Sequence, residues 1–279
     1  MKRIFAMLLS VVLVFSLAFM TSCGDDGNDG TDGSLERLAG KTPEELYDAS
    51  AAALAMAGSY EVISENDIVM DMSVSGQEVF VVMKQSATSK INGEDTYMKS
   101  TSTSEMITMG QTTPLGDVAP MEVWYVDGIC YSYMMGVKAK AAVDKEQFAQ
   151  EYMGKDPKES TLLDLPESWF EDIKFDLADD GYVLNMVVSG EEYTQFIGNV
   201  YEELGYDLAI DGDVNYKIFF DKDGNLTKIT AEFNMIYNIQ GTSGTAKCNS
   251  VSKVSLKDVT VEAPANADEF QEVELDLGN

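Results

Sequence analysis

The chain has no histidine among its 279 residues, and that absence removes whole classes of chemistry. Without an imidazole there is no Ser-His-Asp triad, no Cys-His pair and no histidine-ligated metal. Basic residues are also scarce: 19 Lys and Arg stand against 48 Asp and Glu, for a formal net charge of −29. Nucleic acids and anionic membrane surfaces are gripped by clustered Lys and Arg, so neither is expected as an electrostatic partner. Gly-rich phosphate loops are missing. So is any Pro-rich linker between Thr42 and Val261, and no residue-level repeat divides the chain. Hydrophobic residues make up 45% and aromatics 10%, enough to build a core and to exclude a disordered acidic chain. About 240 foldable residues suit one large all-β domain or two smaller ones.

The N-terminus carries the most specific signal. Met1-Lys2-Arg3 is basic, Ile4 to Met20 is apolar apart from Ser10 and Ser16, and Thr21-Ser22 precede Cys23. A basic start, an apolar stretch and small residues before a cut describe a secretory signal peptide over 1–22 rather than a spanning anchor. The arrangement resembles the lipobox of bacterial lipoproteins, with Met20 where leucine is usual. That resemblance implies that Cys23 is acylated and begins the mature chain. More than one acyl chain would hold it stably on the outer face of the cell membrane, so the membrane is an expected partner through the anchor. Residues 24–33 read GDDGNDGTDG. Nothing there can bury, and the Gly and Asp spacing is not that of a calcium loop, so 23–41 reads as an acylated cysteine and an acidic tether.

The folded part opens at Thr42-Pro43-Glu44-Glu45, a capping box with proline at the first helical position. Leu46, Ala49, Ala53 and Met56 then share a face, and Gly58 stops the helix. From Tyr60 the period changes to two. Ile68, Met70, Met72 and Val74 share one face, followed by strands over 78–84, 97–109, 123–126 and 129–134. Asp127-Gly128 is a strong hairpin signal. Further strands are expected at 175–177, 182–188, 214–220, 229–239 and about 251–261. Helices are expected to begin at Asp144, over Asp164–Ile173 and after Ser189. The last carries Tyr193, Phe196, Ile197, Val200 and Leu204 on one stripe. The result is an α+β domain, mainly antiparallel β, over 42–261, with an acidic tail over 262–279 that frays.

Three groups of residues are candidates for chemistry. Cys130 and Cys248 both fall in expected strands, and outside the cytoplasm they either pair or stay as buried free thiols. Asp221, Asp223 and Asn225 look like the start of a calcium loop, with Glu232 at its twelfth place. However, Gly224 comes too early and strands flank the segment, so it reads as a hairpin turn. Acidic neighbours such as Asp179-Asp180 and Glu191-Glu192 are explained by turn and helix positions. No nucleophile, base and orienter can be assembled, so no enzyme, no metal site and no cofactor are expected.

The lipobox, the KTPEELYDASAAAL helix and the long Met- and Tyr-rich strands with helical insertions resemble bacterial lipoproteins of LolA-like fold, the LppX and LprG type. That resemblance implies a strongly curved antiparallel sheet, a half-barrel, with helices on its concave face. It also implies space between the two that in several members holds a lipid or acyl chain. From the residues themselves, one-sided strands and amphipathic helices require helices on one sheet face. Met70, Met72, Phe220, Phe233 and Met235 on strands, with Phe196 and Val200 on a helix, are the candidate lining of an apolar site. Methionine suits both a filled core and an adaptable cavity, and the pattern leaves the two open. The expected function is an extracytoplasmic lipoprotein binding an apolar ligand. The alternative is a non-catalytic envelope module with a solid core and an acidic outer face. No protein partner follows from the sequence.

Overall fold

A computed structural model of the chain describes residues 41–74, 77–134, 136–145, 148, 167–178, 181–195, 206–239 and 242–273. The leader, Cys23 and residues 24–40 lie outside the described residues, as do Phe196 and Val200.

Helix α1 (Pro43–Met56) begins where its capping box places it. Thr42 Oγ1 accepts from the Glu45 amide at 3.2 Å, and Glu45 Oε2 accepts from the Thr42 amide at 2.8 Å. Two amides that a helix start leaves unpaired are thereby satisfied. Twelve strands follow: β1 (Ser59–Val74), β2 (Gln77–Asn92), β3 (Asp95–Thr108), β4 (Gln111–Val126), β5 (Ile129–Met134), β6 (Val137–Ala142), β7 (Phe170–Ala178), β8 (Gly181–Val188), β9 (Tyr206–Asp221), β10 (Leu226–Ile239), β11 (Thr242–Ser255) and β12 (Gln271–Glu272). A second helix, α2, is described over 190–195.

All twelve strands form one open, curved sheet in the order β12-β6-β5-β4-β3-β2-β1-β11-β10-β9-β8-β7. β1 to β6 form one meander and β7 to β11 another, and the two are joined where β11 pairs antiparallel with β1. Among the described strands only β12 is parallel to its neighbour, β6. At 14 to 16 residues, β1 to β4 and β9 to β11 are each about 50 Å long. Register shifts interrupt β3–β4 and β9–β10, where an extra residue bends and twists the ladder. Asp127 and Gly128 turn β4 into β5 with φ of 52° and 76°, the mirror-image turn expected of an Asp-Gly pair.

One sheet face is buried. Leu46 and Tyr47 of α1 join the main core, with the Tyr47 ring edge-on to Phe170 at 5.2 Å. α2 opens at Ser189, whose Oγ accepts from the Glu192 amide, and it sends Tyr193 into the core. A smaller cluster (Met98, Val123, Tyr125, Cys130, Ala141, Val143 and Phe148) sits under β3 to β6. There Phe148, on the helical turn that starts at Asp144, stacks on Tyr125 at 4.6 Å.

Several expectations are corrected. The segment from Phe170 to Ile173 is strand, preceded only by a short 3-10 turn at Glu167–Trp169. A bulge near Phe170 and Asp172 lets an apolar cluster of helical spacing pair with β8. Residues 164–166 of that expected helix lie outside the described ones. The first half of β4 and all of β6 were not expected, because Pro114, Gly116 and Pro120 break the one and VKAKAA lacks strand formers in the other. The last long strand ends at Ser255 rather than Val261. The tail is docked to Val273: Phe270 is buried against Trp124 and Tyr131, and β12 pairs with β6.

Candidate functional site: the buried face of the sheet

Paired residues on neighbouring strands line up as rungs across the sheet, and side chains of one rung share a face. On the buried face, the rung through Met70 runs Met235, Ala246, Met70, Val81 and Met106. The next runs Phe233, Cys248, Ile68, Met83 and Ser104. Met70 and Met72 on β1 are thus brought near Phe233 and Met235 on β10, with Ala246 and Cys248 of β11 between them, and the four are at most 7% exposed. Phe220 is buried too, but it pairs with Leu226 at the far end of β10, nine residues from Met235 and about 30 Å away along the strand.

The following two rungs are different in kind. One runs Ser250, Asn66, Gln85 and Ser102, and the next runs Ser252, Ser64, Ala87 and Ser100. Seven of these eight side chains are Ser, Asn or Gln, and all but Ser64 and Ala87 are buried. Beyond them the face turns apolar again at Val254, Val62, Met98 and Val123, with Ser89 among them. An uncharged polar block therefore lies between two apolar regions. Its hydrogen bonds run across the strands. Asn66 Nδ2 donates to Gln85 Oε1 at 3.3 Å, Gln85 Nε2 donates to Ser100 Oγ at 3.0 Å, and the Ser64 and Ser252 hydroxyls lie 2.7 Å apart. Asn66 Oδ1 and Ser102 Oγ are buried without a partner.

The titratable groups on this face are held neutral. Burial pushes the Cys248 thiol up to about 12 and the Tyr237 phenol up to about 12. Burial likewise raises Tyr193 and, further, Tyr216, whose hydroxyl donates to that of Tyr193 at 3.3 Å. A neutral thiol is a poor nucleophile.

Cys130 and Cys248 are both buried and are not joined in a disulfide in this structure. They sit on β5 and β11, five strand spacings or about 24 Å apart along the sheet, far beyond disulfide reach. The Asp221 loop is a turn that caps itself. Asp221 Oδ1 accepts from the amides of Asp223 and Asn225, and Oδ2 accepts from the Asn225 side chain, all at 2.9 Å. Hydrogen bonding from Asn225 holds that carboxylate below its ordinary range. Among the described residues no cluster of Cys, Asp and Glu is arranged to hold a metal. On the opposite sheet face, a shallow groove of about 270 Å³ opens beside Pro114, lined by Val82, Lys84, Thr103 and Glu105.

No family model and no curated protein matches the chain. Among solved structures, the chain is similar to LprF from Mycobacterium bovis. The match covers 80% of this chain and 97% of that one at 13% identity, with a TM-score of 0.35. A lipovitellin structure described by its lipid–protein interactions matches over 75% of this chain and 26% of that one at 12% identity, with a TM-score of 0.31. A porin-like protein from Bacteroides uniformis matches over 68% and 96% at 10% identity, with a TM-score of 0.27. At such identity and overlap no residue role passes from these proteins to this one.

The polar block was missed in the sequence, though its signal was there. In β3, Ser100, Ser102 and Ser104 alternate with Lys99, Thr101, Thr103 and Glu105. A run of serines opposite charged and threonine positions marks a buried polar face, but serine alternation carries no hydrophobic period to read.

Proposed function

We infer that this chain is a membrane-anchored, extracytoplasmic lipoprotein, held by acylated Cys23, that binds an apolar ligand such as a lipid or acyl chain on the buried face of its sheet. The observation that supports the reading is the chemistry of that face. Met70 and Met72 on β1 and Phe233 and Met235 on β10 form one adaptable apolar surface across the intervening β11, with no charged group among them. The acidic tether would lift the domain clear of the membrane. Native mass spectrometry of the full-length chain, extracted from its own host in mild detergent, tests the reading. A co-purified lipid beyond the covalent acyl groups is expected. Repeated recovery of the bare acylated mass, with no uptake of offered lipid, overturns it. Palmitate labelling that disappears in Cys23→Ser tests the anchor.

A second reading is supported by the near-complete burial of the same four residues. In it the interior is solid, and the acidic outer face meets a basic partner or cations in the envelope. Bare mass together with capture of a basic envelope protein would favour it.

A further inference from the structure

We propose that the open edge of the sheet, strand β7, is an interface for a second copy of this chain. The two β7 strands pair antiparallel about a two-fold axis at Phe175, so that one sheet runs through both copies.

The two edges of the sheet are finished differently. At β6 the chain covers its own edge: β12 pairs with Ala139 and Lys140, and Lys138 and Lys140 form ion pairs with Glu269 and Glu272 of the tail. At the other end β7 pairs with β8 alone among the described strands. Alternate residues of such a strand turn their amide and carbonyl groups away from the sheet, where another strand can take them up.

Charge usually guards an edge of this kind, and charges of a single sign would repel a copy. The charges of β7 are instead complementary to themselves. An axis at Phe175 sets residue 174 opposite 176 and residue 173 opposite 177. Lys174 then faces the partner's Asp176, and Asp176 faces the partner's Lys174, two opposite-charge pairs between exposed side chains. Within one chain Lys174 is ion-paired with Asp172 at 3.1 Å and Asp176 accepts from Asn185 Nδ2 at 2.7 Å, which holds both on the same face near the edge. On the other face Ile173 meets the partner's Leu177. Leu177 follows buried Phe175 along that face yet is 72% exposed, and a second copy covers it. Other axes do worse. One at Lys174 or Asp176 opposes two like charges. One at Ile173 matches Asp172 with Lys174, but it meets the bulge between Phe170 and Asp172 and leaves Leu177 open.

The test uses the full-length chain in mild detergent, mixed with an isotope-labelled copy and read by native mass spectrometry. Pairing over 172–178 makes a small interface, so the range runs from about 1 to about 100 µM. A mixed dimer that grows with concentration is expected. Lys174→Asp sets Asp against Asp at both pairs, and Asp176→Lys sets Lys against Lys. Each variant alone is expected to dimerise at least about tenfold more weakly than the wild-type chain. Mixed one to one, the two variants are expected to form a heterodimer about as tight as the wild-type dimer, because every Asp again faces a Lys. That recovery also controls for folding, since a variant with a disrupted edge would not regain it.

A wild-type chain that stays monomeric at about 100 µM overturns the proposal and leaves the edge to a partner of another kind. A dimer that both single variants leave intact overturns it too, because the copies then meet elsewhere. Variants that fail alone and fail again when mixed overturn the pairing about Phe175. These outcomes are independent of the lipid-binding reading, which concerns the buried face and not the edge.

Discussion

The two wings of this sheet bury the same face in different chemistry. On β8 to β10 the buried positions are Leu184, Met186, Val214, Ile218, Phe233 and Met235, large side chains that fill one another's gaps. On β1 to β3 the buried face passes from Ile68, Met70, Val81 and Met83 to Asn66, Gln85, Ser100 and Ser102 in the next two rungs. Both wings are ladders of long antiparallel strands with one face solvated, so backbone pairing does not separate them. Side-chain volume and hydrogen-bonding capacity do. The first wing is built to hold the fold, and the second gives up apolar burial where serine stands in place of valine or leucine.

Breaking that contrast should cost most on the apolar wing. Phe233→Ala, which removes a ring 3% exposed and tilted against Tyr193, is expected to lose about 3–5 kcal/mol in urea unfolding. Where the wings meet, β11 passes β1 at Gly244. A Cβ there would stand 2.2 Å from the Asp71 carbonyl oxygen and 2.5 Å from the Tyr237 hydroxyl, so Gly244→Ala should cost about 1–3 kcal/mol by the same measurement. Thr42→Ala, outside the contrast, removes half of the α1 capping box and should cost about 1 kcal/mol.

The polar wing answers more weakly and in a pattern. Ser100→Ala takes away the acceptor of Gln85 Nε2 and should cost about 1 kcal/mol, whereas Ser102→Ala removes an orphaned hydroxyl and should change stability by less than about 0.5 kcal/mol. Equal losses in the two would show that the block is an ordinary satisfied network. On the solvated face, Glu61 gives a pH-dependent version of the comparison. The Lys257 ammonium, hydrogen-bonded to its carboxylate, and then Lys90 hold Glu61 below its ordinary value of 4.5. A group lowered on folding stabilises fully above its unfolded value and loses that contribution as pH falls through the folded one. The gap in unfolding midpoint between the wild-type chain and Glu61→Gln should therefore narrow between about pH 6 and pH 3.

Legibility followed the hydrophobic period. Strands with alternating Met, Ile and Phe, such as β1, β9 and β10, could be read from the sequence, as could the Asp127-Gly128 turn and the capping boxes at Thr42 and Ser189. These are local devices with local signatures. Half of β4 and all of β6 were illegible because Pro, Gly and Ala-Lys runs carry no strand period, and only pairing with β3 and β5 makes them strands. The tail shows the same limit, since nothing near Phe270 reveals that Trp124 and Tyr131 will cover it.

Of the candidate site, the individual residues were visible and their grouping was not. Met70, Met72, Phe233 and Met235 could be marked as buried one by one, but strand order alone brings them near one another and sends Phe220 to the far end of β10. The polar block needed strand order still more, because it draws on four strands separated by up to about 190 residues in the chain, and no window along a sequence spans them.

The sequence by itself determined the acidic charge, the lack of histidine chemistry, the lipobox-like leader and the alternation of faces, all of which depend on residue identity or near neighbours. The tertiary structure alone decided which faces meet. It set two buried, unbridged cysteines five strands apart and placed uncharged serines and amides between two apolar regions, because register between distant strands is a property of the whole sheet.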